Sequence, residues 1–218
     1  MVMRLLIVTA VEGEARAIAP VDGAHVIVSG LGRTNAAAAT TEALVRHNNG
    51  DSRKRIDAVI SAGLAGVLPG GELKLGDCVI ASQCIYVEEG LISPTGFADM
   101  AGLGFPLGDF AGNAVPVDER LLEALSEIFP IGPIATVATC SGTDAAAAEA
   151  VRRTGAVAEA MEGAAVVHAA RRLGVPAIEL RAISNTTGDR RRQQWDIPGA
   201  LQALGIGVHK AIAALIDR

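Results

Sequence analysis

Short apolar runs alternate with longer amphipathic stretches along the whole chain, and this alternation restricts the fold more than any single residue does. Residues 5–9, 25–28, 58–62, 78–81, 134–139 and 177–183 read as strands: brief runs rich in Val, Ile, Leu and Ala. Most are apolar at consecutive positions, the pattern of strands buried on both faces. Residues 34–46, 119–128, 145–153, 163–173 and 198–215 read as helices. Asp118 and Asp196 stand where N-caps belong, the latter with Pro198 in the first turn. Gly174-Val175-Pro176 stops one helix and leads into a strand. The expected class is α/β: three α/β/α layers around a central mixed sheet that is mostly parallel. No linker, repeat or low-complexity tract interrupts residues 1–218, which read as one domain. Residues 89–116 hold three of the four Phe and many Gly and Pro. Such an excursion serves as a lid or an interface, or stays disordered.

Composition narrows the function. Half of the 218 residues are apolar but only 3% are aromatic, so Ala, Val, Ile and Leu must fill the core. Together with 25 Gly, this suits helices packed closely on a sheet. The formal net charge of −5 disfavours nucleic-acid binding, which needs a basic face. The one basic run, Arg190-Arg191-Arg192, is short and flanked by Asp189 and Asp196. Cys78, Cys84 and Cys140 form no CxxC pair and cannot all pair internally, which fits a reducing cytoplasm. His25, His47, His168 and His209 lack ligand spacing, so neither a metal nor another cofactor is expected. The apolar start runs straight into Glu12 and Glu14, and no uncharged apolar run reaches about 18 residues, so no membrane role is expected.

Chemistry concentrates where strands end, the place where open α/β sheets bind ligands. Glu12 and Glu14 follow the first strand. A carboxylate there serves as a general base, or simply favours a helix's first turn. Ser29-Gly30-Leu31-Gly32-Arg33-Thr34 half-matches a dinucleotide fingerprint, but Asn35 replaces the third Gly. Its glycines, and those of Ala62-Gly63-Leu64-Ala65-Gly66, permit close backbone approach to a polar ligand. Met161-Glu162-Gly163 opens a helix; its carboxylate either grips vicinal sugar hydroxyls or is an ordinary N-terminal charge. Arg181-Ala182-Ile183-Ser184-Asn185 ends a strand, and Asn185 either pairs with a heterocycle edge or makes a local turn.

Taken in order, segments 6–14, 28–33, 58–66, 76–82 and 160–188 resemble the nucleoside phosphorylase and nucleosidase superfamily. The specific part is Ala160-Met161-Glu162-Gly163-Ala164-Ala165 followed by Arg181-Ala182-Ile183-Ser184-Asn185. Gly188-Asp189-Arg190 and Trp195-Asp196-Ile197 are similar to the branch that hydrolyses futalosine, in an alternative menaquinone route. The resemblance implies Glu14 as the carboxylate that activates water, Met161 and Glu162 on the ribose, and Gly66 along the base. Ser29 and Gly63 fall on the sugar and water side, Asn185 at purine recognition, and Trp195 near the 5′ substituent. Relatives that cleave methylthioadenosine and S-adenosylhomocysteine carry Asp where Asn185 stands. Asn cannot supply the proton that N7 takes there, which leans the site toward 6-oxopurines. The phosphate-binding Arg loop of phosphorylases has no counterpart in the acidic Thr9-Ala10-Val11-Glu12-Gly13-Glu14, which favours water as nucleophile.

The implied reaction is hydrolysis of a 6-oxopurine nucleoside, with futalosine giving hypoxanthine. The implied assembly is a homodimer or higher oligomer in which a neighbour's loop closes the 5′ pocket. Thr143-Asp144 stands where relatives stack a Phe on the purine, so stacking must come from elsewhere. Arg190, Arg191, Arg192 and Arg33 are candidates for a substrate carboxylate. Rival readings are a purine nucleoside phosphorylase, a methylthioadenosine/S-adenosylhomocysteine nucleosidase, an idle nucleoside-binding protein and a dinucleotide-dependent reductase.

Overall fold

The computed structural model describes residues 3–21, 23–48 and 55–216. The chain runs β1 (Leu5–Thr9), α1 (Glu12–Ile18), β2 (Ala24–Val28), α2 (Arg33–Asn48), β3 (Ala58–Val67) and β4 (Cys78–Tyr86). The excursion then folds as a hairpin, β5 (Gly90–Ser93) and β6 (Gly96–Asp99), a short α3 (Met100–Leu103) and β7 (Ala114–Pro116). It continues α4 (Glu119–Ser126), β8 (Ile131–Thr136), α5 (Asp144–Thr154), β9 (Ala158–Ala160), α6 (Gly163–Arg172), β10 (Ala177–Thr186) and α7 (Ile197–Ile216).

The main sheet has the order β10-β4-β8-β9-β3-β1-β2, with β7 added beside β4. Five of its pairings are parallel and three antiparallel, the mixed, mostly parallel sheet that the alternation implied. It also curls: β10 pairs with both β4 and β3, so β3, β10, β4, β8 and β9 close a ring from which β1 and β2 extend. Helices α2 and α6 pack together, while α7 packs along β10 and against α1 and α4. The core is aliphatic, with Leu5, Ile7, Ile60, Ile80, Ile134 and Ile178 fully buried. Helix α7 has the length and apolarity of a membrane span, yet its Ala200, Leu204, Val208 and Ala211 are buried in that core.

Local signals hold where chemistry dictated them. Asp118 accepts from the amides of Arg120 and Leu121, and Asp196 from that of Gly199. Strand ends differ more. β3 runs through Gly63 and Gly66 to Val67 rather than stopping at Ala62, and β10 continues through Asn185. Both glycines therefore lie inside the strand, not in a loop at its end: Gly63 pairs with Arg181 on one side, and Gly66 with Asn185 and Glu159 on both. Glycine inside a strand marks a place where other groups crowd the backbone.

Candidate active site

A cavity of about 500 Å³ opens where β3, β9 and β10 meet the loops after β1, β8 and β10. Of the residues singled out in the sequence, Glu14, Gly66, Met161, Glu162, Asn185 and Trp195 line it. Gly63 and Ser29 are not among the lining residues. The Ser29 hydroxyl is within donating distance of the Thr9 and Gly30 carbonyls, tying β2 to β1. Gly63 acts from behind: a Cβ there would come within 2.7 Å of Glu14 Oε1 and closer still to Arg181 Nη1.

Glu14 sits in the first turn of α1 and is 5% exposed. Its Oε2 accepts from the amides of Ala10 (2.9 Å) and Val11 (3.2 Å), and its Oε1 from that of Leu64 (2.9 Å). A carboxylate oxygen has two lone-pair sites, so Oε1 keeps one for a further donor. Glu12, its neighbour in sequence, is exposed and does not line the cavity.

Glu162, at the N-terminus of α6, accepts from the Gly32 amide (3.0 Å), which is the contact the Gly30-Leu31-Gly32 turn makes with the site. Its other oxygen lies 3.6 Å from Arg181 Nη1. Arg181 itself is fully buried behind the cavity. Its Nε donates to Glu179 (2.7 Å) and one terminal nitrogen to Ser61 (3.1 Å). Burial by itself would lower the Arg181 pKa; the carboxylates of Glu179, Glu162 and Glu14 outweigh it and push the pKa up. A fixed cation therefore stands between the two cavity carboxylates. Sequence reading passed over this residue, although Glu179 and Arg181, two apart in an apolar strand, must share one face.

Asn185 closes the far side of the cavity. Its amide donates to the Thr186 carbonyl and accepts from the Ser184 hydroxyl. Gly66 pairs in register with Asn185 on β10 and with Glu159 on β9. A Cβ at Gly66 would lie 2.9 Å from the Asn185 amide nitrogen, so only glycine leaves this part of the cavity open. Glu159 was not foreseen. It is 5% exposed and lines the cavity, and it accepts from both the amide (2.7 Å) and the hydroxyl (2.6 Å) of Ser141. Burial raises its pKa, partly offset by the Ser141 hydrogen bonds.

The four candidate arginines separate. Arg33 pairs with Glu88 and Glu89, and Arg192 with Asp144 and Asp189. Arg191 does not line the cavity, whereas Arg190 does, with its guanidinium 4.6 Å from the Trp195 ring centre. Its backbone amide donates to the Gly142 carbonyl, and Gln193 donates to those of Ser141 and Gly188, joining the two loops. Thr143 and Asp144, which replace an expected aromatic, cap α5 and hold Arg192. Apart from Trp195, the apolar lining is not aromatic and includes Ala10, Leu31, Leu64, Ala160, Met161 and Ile197.

This sheet and cavity define a class, and comparison with known proteins names it. The family model described as "Phosphorylase superfamily" matches residues 9–217. A futalosine hydrolase of Acidothermus cellulolyticus is 41% identical, covering 94% of this chain and 88% of that protein. The futalosine hydrolase of Streptomyces coelicolor is 35% identical, covering 98% and 97%. Among solved structures, a futalosine hydrolase mutant of Helicobacter pylori superposes with a TM-score of 0.73 at 20% identity, covering 97% and 99%. The chain belongs to the phosphorylase superfamily and, within it, to the futalosine hydrolase family.

Proposed function

We propose that the cavity hydrolyses the N-glycosidic bond of futalosine, releasing hypoxanthine and dehypoxanthinyl futalosine for menaquinone synthesis. The observation that carries water over phosphate as nucleophile is the charge of the lining. It contains Glu14, Glu159 and Glu162, and among the described residues lining it Arg190 is the only Arg or Lys. Three carboxylates repel a phosphate dianion but suit a neutral nucleophile.

Breaking the bond builds positive charge on the ribose and negative charge on the departing base. Glu14, held by three backbone amides, presents its open Oε1 site to water and takes its proton. Glu162 accepts the 2′ and 3′ hydroxyls with the lone pairs that Gly32 leaves free, and Met161 packs on the sugar. Asn185 donates a hydrogen bond to the base as charge develops there, and the departing hypoxanthine anion takes a proton from solvent while Glu14 gives up the one it took from water. Arg181 fixes the spacing of Glu14 and Glu162 and offsets their mutual repulsion. At the mouth, Trp195 covers the 5′ substituent and Arg190 meets its aryl carboxylate.

Exposed Leu91, Ile92 and Phe105 of the excursion, and exposed Leu31 and Ile197 at the cavity rim, support a homo-oligomer in which one copy covers the mouth of another. The mechanism is tested with Glu14→Gln. A general base contributes roughly 10²–10⁴-fold in rate. The variant should lose turnover by that factor while still binding futalosine; unchanged turnover excludes Glu14 as the base.

A further inference from the structure

We propose that Glu159 is a specificity-determining residue of this cavity, accepting the N1–H of a 6-oxopurine and opposing the bare N1 of an adenine. The inference rests on the purine nucleoside reading above and adds a contact that the reaction itself does not require.

Asn185 alone does not choose between the two bases. An amide offers a donor and an acceptor side by side, and a half turn exchanges them, here at the cost of the bonds to the Thr186 carbonyl and from the Ser184 hydroxyl. One orientation donates to O6 and accepts from N7–H of hypoxanthine. The other donates to N7 and accepts from the 6-amino group of adenine, a pairing that Asn makes well. Discrimination needs a group that cannot exchange its roles. An ionised carboxylate is acceptor-only. Hypoxanthine presents a donor at N1, whereas adenine presents an acceptor there.

The fold puts such a group opposite Asn185. Because Gly66 is in register with both residues, Glu159 and Asn185 project from the same face of the sheet. They stand two strand spacings apart, about 10 Å between backbones. Gly66, with no side chain, leaves the space between them open. A planar bicyclic base fits there with its N7, O6 and N1 edge facing the pair.

Glu159 is also poised to receive a donor. No Lys, Arg or His pairs with it among the described residues, and Ser141 supplies both of its hydrogen bonds. Each carboxylate oxygen keeps one unused lone-pair site. A buried carboxylate without a cation is costly, and a donor arriving from a ligand relieves that cost.

The test is calorimetric titration of the purified protein with hypoxanthine, 1-methylhypoxanthine and adenine. The methyl group removes the N1–H and leaves O6 and N7 unchanged. The wild-type protein should bind hypoxanthine at least tenfold more tightly than either other base. Glu159→Gln keeps the volume and the Ser141 contacts, but its amide also donates to N1, so the adenine gap should shrink at least tenfold. Glu159→Ala should shrink both gaps. A common loss for all three bases in both variants would mean that Glu159 only holds the Ser141 loop, and overturns the proposal. Wild-type protein that binds no hypoxanthine overturns the purine reading and the proposal with it.

Discussion

Adding one methyl group at Gly63 probes how tightly the site is assembled. The Cβ of Gly63→Ala would lie 2.7 Å from Glu14 Oε1 and 3.2 Å from its carboxyl carbon, and nearer still to Arg181 Nη1. Flexible side chains usually yield to such an intrusion at little cost. Here neither end is free: Arg181 is 1% exposed and tied to Glu179 and Ser61, and Glu14 is tied to three amides. Overpacking of this kind costs about 1–3 kcal/mol. For a chain of this size each kcal/mol lowers Tm by about 2–4 °C, so the expected drop is about 2–12 °C. Activity should suffer more, because a displacement of about 1 Å in a positioned catalytic group costs on the order of 100-fold. The assay pairs thermal unfolding with hypoxanthine release from futalosine. Gly13→Ala is the control: it lies in α1 with nothing within 4 Å of the added methyl, and should leave both readouts nearly unchanged. A Gly63→Ala protein with wild-type turnover and Tm would refute the close approach of Glu14 and Arg181 to β3.

Two other substitutions separate the ends of the substrate. Asn185→Asp removes the amide donor to O6 and supplies a proton for N7. Futalosine turnover should fall on the order of tenfold or more, the cost of a mispaired buried polar group, and methylthioadenosine turnover should rise; an unchanged ratio removes Asn185 from base recognition. Arg190→Met keeps an unbranched chain over Trp195 but loses the charge. It should raise KM for futalosine several-fold and leave inosine, which has no 5′ carboxylate, unaffected, as steady-state kinetics on the two substrates would show.

Much of the fold was legible because its signals are local. Apolar runs marked β1, β2, β4 and β10, and carboxylate caps marked the starts of α4 and α7. What stayed hidden depends on contacts across the sheet. β9 is three residues long, too short for periodicity to register, and it takes its identity from pairing with β3 and β8. The ring closure requires β10 to pair on both edges, which no run of residues announces. β3 extends through Gly63 and Gly66 because it pairs there with β10 and β9, and those positions are glycine because Arg181, Glu14 and Asn185 occupy the space a side chain would need, information carried by segments far apart in sequence.

The site divides in the same way. Glu14, Glu162 and Asn185 stood out as polar residues at strand ends, and they line one cavity. Gly63 lies behind it, against Glu14 and Arg181, and Ser29 ties β2 to β1 outside the lining, because sequence places a residue along an element but not in front of or behind its neighbours. Glu159 and Arg181 were missed for a related reason. Both are enclosed by neighbouring strands and loops, and which groups surround a charged side chain cannot be read from its own segment.

The central claim is hydrolysis of futalosine in an acidic cavity, and the direct measurement is base release in phosphate-free buffer. Futalosine, inosine and methylthioadenosine are each incubated with the protein, with and without added phosphate, and the released base and sugar are identified. The account predicts rapid hypoxanthine release from futalosine at a rate that phosphate does not change, with a free reducing sugar as co-product. Release that requires phosphate and yields a sugar 1-phosphate, or preferential adenine release from methylthioadenosine, would contradict it.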